Sequence, residues 1–144
     1  MIRQYRDEDC DDVLAAWEAA SRVATPFLTE DFLRAEREAI RNLWLPKAET
    51  WVYDRSGTVV GFLALIGDEV GGFFVHPDYQ GRGFGRALME HAQRLRGELV
   101  VDVFKDNAAG CGFYDAYGFR AVSEHVHAET GRSQVRMHLP IQEG

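Results

Sequence analysis

The chain has 144 residues, which is the usual size of one domain. It carries 16 Lys and Arg against 23 Asp and Glu, a formal net charge of −7, and this acidic balance argues against broad binding to nucleic acid or to an anionic membrane. Hydrophobic residues make up 46% and charged residues 27%, so the sequence predicts one folded domain over residues 1–144.

Hydrophobic periodicity predicts an alternation of helices and strands along the chain. A short N-terminal strand precedes two amphipathic helices, the first opening after Asp7 and Asp9 and the second ended by Pro46. Three β segments follow, then a Gly-rich loop, a helix, a strand, a short helix and two last strands. The predicted strands are 2–6, 49–53, 58–66, 69–75, 99–104, 119–125 and 133–139. The order β-α-α-β-β-β-α-β-α-β-β predicts an α/β (α+β) domain with helices packed on a mixed sheet.

Cysteines and histidines give no sign of a disulfide framework or a metal site. Cys10 and Cys111 lie far apart and are expected to be free thiols in a reducing compartment. His125 and His127 share one face of a predicted strand, but no further Cys or carboxylate spacing completes a site, so no metal is expected. No membrane span and no apolar signal region is predicted, which favours a cytoplasmic location.

The Gly-rich loop is the strongest local signal, and it reads Gln80-Gly81-Arg82-Gly83-Phe84-Gly85. Three alternate glycines allow backbone N–H groups to converge and a ligand to approach the main chain closely. The helix expected from about Arg86 adds its unpaired amides and its dipole at the same point. With Arg82 and Arg86 in an otherwise acidic chain, the loop predicts a phosphate-binding site.

Two common phosphate-binding motifs do not fit this loop. A Walker P-loop needs Lys and then Ser or Thr after its last glycine, but Gly85 is followed by Arg86. The dinucleotide fingerprint G-x-G-x-x-G needs glycine as its sixth residue. Counting from Gly81 the sixth residue is Arg86, and counting from Gly83 it is Leu88. The pattern that fits is Q-x-x-G-x-G.

On this pattern the sequence resembles the GNAT superfamily of acetyl-CoA-dependent N-acetyltransferases, and most of all its small single-domain bacterial members. One matching block is 74–88, and the second comprises 107–109 and 112–119, in the family's order and separation. The resemblance implies a mixed, mostly antiparallel sheet of six to seven strands, splayed in the middle, with about four helices. It also implies acetyl-CoA as the cofactor and CoA as the product.

The resemblance further implies where the cofactor binds. The strand before the loop would pair through its backbone with the pantetheine arm, and Gly71-Gly72 would bend that strand. The loop amides would hold the pyrophosphate, and Asn107 would bond the arm, although it is also a natural helix N-cap. The implied cofactor-binding residues are Phe73, Phe74, Val75, Gln80, Gly81, Arg82, Gly83, Phe84, Gly85, Arg86 and Asn107.

The same resemblance implies the catalytic groups for attack of an amine on a thioester. Tyr114 matches the acid that reprotonates the departing thiolate, although an aromatic residue there also suits the core. A backbone amide near Val75 would stabilise the oxyanion. The base is left open between Glu69 and Asp102, and ordered water alone is a third possibility.

The acceptor is predicted only as a primary amine of a small molecule or peptide. Acidic composition favours a polyamine, an aminoglycoside or a peptide lysine, and an N-terminal amine is also open. Four aromatic residues are weak candidates for the acceptor pocket: Phe27, Phe32, Trp44 and Trp51. The alternatives are a non-catalytic acetyl-CoA-binding sensor or interaction module and a transferase for a longer acyl chain. A homodimer is possible, and no nucleic-acid or membrane partner is expected.

Overall fold

The strands of the chain join in one mixed sheet. The computed structural model describes residues 1–142, and in it the strand order is β1-β2-β3-β4-β5-β7-β6. The strands are β1 Ile2–Gln4, β2 Glu49–Arg55, β3 Thr58–Ile66, β4 Glu69–Val75, β5 Leu99–Phe104, β6 Arg120–Val126 and β7 Ser133–Leu139. Neighbouring strands are antiparallel except β4 and β5, which are parallel. The predicted fold class is therefore confirmed.

Four helices longer than one turn occur within residues 1–142, also as predicted. They are α1 Cys10–Ala24, α2 Glu30–Ala39, α4 Phe84–Arg96 and α5 Ala108–Tyr117, and α3 Leu45–Lys47 is a single turn. No helix in this part of the chain is long and apolar enough to cross a membrane.

Two predicted helix boundaries were wrong. The second helix does not end at Pro46: a π-helical segment, Ile40–Trp44, connects α2 to α3, which contains the proline in its first turn. The fourth helix begins at Phe84 rather than near Arg86. Its N-cap is Gly83, whose left-handed backbone (φ 87°) ends the loop two residues earlier than the glycine pattern suggested.

The sheet is covered by helices on both faces. Alternate residues of β3 point to opposite faces of the sheet. On one face Leu63 and Leu65 are buried with Leu88 of α4. On the other face Phe62 is buried with Trp17 of α1. Because both faces of β3 are buried, nearly its whole length is apolar. This central strand is the rigid support for β4, on which the site depends.

The sheet opens between β4 and β5. The two strands pair only at Glu69 with Val100 and at Val70 with Val101. Gly71 then forms a bulge against β3, since Val70 lies opposite Leu65 and Gly72 lies opposite Ala64. From this point β4 follows β3 and leaves β5, which confirms both the predicted splay and the predicted bend at the paired glycines.

Candidate active site

The open edge of β4 offers backbone hydrogen-bonding groups to the gap. The amide of His76 donates to the carbonyl of Val60 on β3, and in an antiparallel pair the bonded residues alternate. The backbone groups of Phe73 and Val75 therefore point toward the gap, where the Val75 carbonyl accepts from Gln80 Nε2 at 2.8 Å. An extended ligand that carries amides can pair with this edge as an added strand would.

The glycine loop lies at the end of that edge. Gly81 and Gly83 have positive φ angles of 78° and 87°, which favour glycine. The first helical bond of α4 runs from Ala87 N to Gly83 O, so the amides of Phe84, Gly85 and Arg86 have no acceptor within the helix. These N–H groups are free to bind an anion, and the phosphate site at this loop stays a prediction.

The two arginines of the loop differ in their contacts. Arg82 lies over the ring of Tyr79 at 5.5 Å. Arg86 is 3.4 Å from the Glu90 carboxylate and lies over the ring of Tyr117 at 5.4 Å. Arg86 therefore has an ion-pair partner in the unliganded protein, and its role in binding phosphate stays a prediction.

A cavity of about 480 Å³ lies in the gap between β4 and β5 and extends under α1 and α2. Its walls are mostly apolar and aromatic, which is usual for a ligand site. It brings together six residues that the sequence singled out: Glu69, Phe73, Phe74, Asp102, Asn107 and Tyr114. The catalytic candidates from β4, β5 and α5 thus share one space.

Tyr114 lies at the border between the core and the cavity. Its ring is 7% exposed and packs edge-on against Phe119 at 5.2 Å, so it belongs to the core. It also lines the cavity. Burial, with a smaller contribution from Cys111, holds the pKa of Tyr114 above its ordinary value. The hydroxyl therefore keeps its proton at neutral pH.

The two candidate bases lie on either side of an arginine that the sequence did not identify. Arg136 of β7 is the cross-strand neighbour of Asp102, and its Nη1 atom lies 3.3 Å from both carboxylate oxygens. The same atom is 3.9 Å from Glu69 Oε2. Asp102 is therefore held more closely, and Glu69, with 42% of its side chain exposed against 27%, is the more accessible carboxylate.

Asn107 is the N-cap of α5, as one of its two expected roles required. Its Oδ1 atom accepts from the amide of Gly110 at 2.9 Å. Asn107 also lines the cavity.

Helix α2 and its neighbours form the outer part of the cavity. Phe32 and Trp44 line it, as proposed from the sequence. Phe27 packs behind the wall, 5.4 Å from the ring of Phe104. The expectation for Trp51 was wrong: its strand directs it to the opposite face of the sheet, where its ring lies 4.2 Å from that of His91.

Glu36 of α2 also lines the cavity, and the sequence analysis missed it. Partial burial raises the pKa of this carboxyl, and the nearby charge of Glu129 raises it further, whereas His127 lowers it. The helical pattern places Glu36 among charged residues of an apparently solvated face, so only the packing of α2 over the cavity reveals it.

Comparison with known proteins identifies the family of the chain. Residues 46–121 match the family model described as acetyltransferase (GNAT) domain. The peptidyl-lysine N-acetyltransferase YjaB of Escherichia coli is 34% identical over 135 residues, covering 93% of this chain and 86% of that protein. The peptidyl-lysine N-acetyltransferase YiaC of the same species is 29% identical over 142 residues, covering 98% and 97%.

Solved structures share the fold over the whole length. The solution structure of apo YjaB from Escherichia coli superposes with a TM-score of 0.87 at 28% identity, covering 96% of this chain and 95% of that one. The PaiA N-acetyltransferase of Thermoplasma acidophilum, solved in complex with coenzyme A, superposes with a TM-score of 0.82 at 17% identity, covering 97% and 98%.

The chain belongs to the GNAT acetyltransferase family. It is an N-acetyltransferase that transfers the acetyl group of acetyl-CoA to an amine. The alternative of a non-catalytic binding module is not favoured, because the relatives named above are N-acetyltransferases.

Proposed function

We propose that this enzyme acetylates the side-chain amine of lysine in a peptide or protein. The observation that carries the proposal is the cavity, in which Glu69 and Asp102 lie among apolar walls. A lysine side chain has the matching chemistry, an aliphatic stem and a terminal cation. Two relatives from Escherichia coli named peptidyl-lysine N-acetyltransferase favour a peptide over a polyamine or an aminoglycoside.

The residues around the gap fit acetyl-CoA, which supplies the acetyl group as a reactive thioester. In our proposal the backbone edge at Phe73, Phe74 and Val75 pairs with the pantetheine arm, and Asn107 Nδ2 donates to it. The amides and side chains of the loop from Gln80 through Gly81, Arg82, Gly83, Phe84 and Gly85 to Arg86 hold the phosphates. A backbone N–H near Val75 stabilises the developing oxyanion.

Glu69 is the proposed base. A lysine ammonium has a pKa of ~10.4 in water, so it must lose a proton before it attacks. Asp102 is bound by Arg136 on both carboxylate oxygens, which favours a fixed, charged role for it. Glu69 is the more accessible of the two and accepts the proton directly or through water.

Tyr114 is the proposed acid. The thiolate of CoA resembles an ordinary thiolate with a pKa of ~8.5, which a phenol is able to protonate. Tyr114, which burial keeps protonated, lines the same cavity as Glu69, so in our proposal one residue gives a proton to the thiolate and the other takes a proton from the amine.

We also propose a cytoplasmic location, since Cys10 and Cys111 are both free thiols. A homodimer stays a prediction from the family resemblance.

The acceptor is tested with a peptide whose only primary amine is one lysine, because its N-terminus is acetylated. We expect thiol release from acetyl-CoA and a mass gain of one acetyl group on that lysine. The control peptide has glutamine in place of the lysine. Acetylation only of a third peptide, with a free N-terminus and no lysine, would contradict the proposal and indicate an N-terminal acetyltransferase.

The base is tested by two single variants in the same assay. Glu69→Gln is expected to lower kcat by about 100-fold, in the usual range for loss of general base catalysis. Asp102→Asn is expected to lower it less, because Arg136 keeps Asp102 out of the proton transfer. The reverse order would assign the base to Asp102, and wild-type kcat in both variants would leave water as the base.

A further inference from the structure

Glu36 differs from the other acidic residues of α2. The remaining three acids of that helix, Glu30, Asp31 and Glu38, each make a side-chain contact with a neighbouring residue of opposite charge or with an amide. Within residues 1–142, Glu36 has no hydrogen bond and no ion pair. Helix α2 therefore pairs its solvent-facing acids and leaves the one that faces the cavity without a partner.

An unpartnered, partly buried carboxylate is unfavourable for the free protein. Glu36 is partly removed from solvent, and the charge of Glu129 further disfavours its ionised form, whereas His127 favours that form. Removing a charge from water without a compensating partner costs free energy. A cation supplied by a ligand would offset this cost at the cavity.

The carboxylates of the cavity form two separate charge groups. Glu69 and Asp102 share Arg136. The pKa of Glu36 is instead affected by Glu129 and His127, which both lie in the connection between β6 and β7. Both charge groups line the same cavity.

We propose that Glu36 binds a second positive charge of the acceptor, so that the enzyme prefers a lysine with a basic residue close to it in the peptide. This inference rests on the proposed function, since it takes lysine as the reacting residue. Glu36 is a specificity-determining residue and takes no part in proton transfer.

The test compares two peptides that each contain one lysine and no other primary amine. In one peptide arginines flank the lysine two residues away on either side, and in the other citrulline, which is neutral and nearly isosteric, replaces both. The wild-type kcat/KM is expected to be about tenfold higher for the arginine peptide, consistent with one charge-assisted hydrogen bond. Glu36→Gln is expected to reduce this ratio to about one without changing kcat/KM for the citrulline peptide.

The matched control is Glu38→Gln, on the exposed side of the same helix, where Glu38 accepts from Asn42. This variant is expected to keep the tenfold ratio. A wild-type ratio near one, or an unchanged ratio in Glu36→Gln, would overturn the proposal. A loss of kcat for both peptides in Glu36→Gln would also overturn it, because Glu36 would then serve the reaction itself.

A small-molecule arm separates this inference from the lysine proposal. Diaminopentane and pentylamine differ by one ammonium group. The wild-type enzyme is expected to have a higher kcat/KM for the diamine, and Glu36→Gln is expected to abolish this difference. If no peptide reacts but this preference is found, the lysine acceptor is wrong and the role of Glu36 stands. If none of the four acceptors reacts, both are overturned.

A stability measurement on the unliganded protein completes the test. Because Glu36→Gln removes an unpartnered charge, its Tm at neutral pH is expected to rise by a few degrees. A lower Tm would show that Glu36 has a structural partner and would overturn the proposal.

Discussion

Tyr114→Phe is expected to lower kcat by about 100-fold while CoA affinity changes less than about twofold. The substitution removes one hydroxyl from a ring that stays buried against Phe119, so the core and the cofactor contacts are retained. The lost group is the proposed proton donor, so we expect only the step in which the thiolate leaves to be affected. Thiol release gives kcat, and calorimetric titration gives the affinity for CoA.

Tyr117→Phe is the matched control on the same helix. The Tyr117 hydroxyl donates to Gln93 Oε1 at 2.7 Å, and Tyr117 does not line the cavity. This variant is expected to keep its kcat. Equal turnover in wild-type protein and Tyr114→Phe would remove Tyr114 as the acid.

Gly83→Glu is expected to weaken CoA binding by about 100-fold or more. Gly83 has a φ of 87°, where a side chain adds strain of roughly 1 kcal/mol. The added carboxylate would also occupy the region where the amides of Phe84, Gly85 and Arg86 converge, and it would repel a phosphate there. Calorimetric titration with CoA measures the loss.

Gly67→Glu is the matched control, because it places the same side chain at another glycine with a positive φ, away from the loop. Gly67, in the turn between β3 and β4, has a φ of 61° and open space around the position of a β-carbon, as Gly83 has. It is expected to lose some stability and to bind CoA normally. If folded Gly83→Glu binds CoA as the wild type does, the loop is not the phosphate site.

The features predicted well from the sequence depend on short segments. The paired glycines at 71–72 indicated the bulge, and the alternate glycines at 81–85 indicated a turn into a helix, because backbone conformation is set within a few residues. The position of Tyr114 followed from a motif in the same way. Each of these signals remains valid wherever the segment lies in the fold.

The features that were missed depend on how distant segments meet. Arg136 reaches Asp102 only because β7 pairs beside β5, with β6 placed outside it. Trp51 was assigned to the wrong face because strand alternation gives two faces without saying which one meets which helix. Glu36 could be recognised only from the way α2 packs over the cavity. A π-helical segment follows this helix directly.

The splay also determines how the unpaired edge of β4 is protected from pairing with another chain. A strand edge with free N–H and C=O groups ordinarily invites pairing with another chain and is a hazard for aggregation. Here the free edge of β4 lies in the middle of the sheet, with β5 across the gap and α1 in contact with both β4 and α5. A narrow, flexible ligand arm is able to enter this space, whereas a strand from a second folded chain would have to pass between packed helices. The unpaired strand edge is thus open to a narrow ligand without being presented to other proteins.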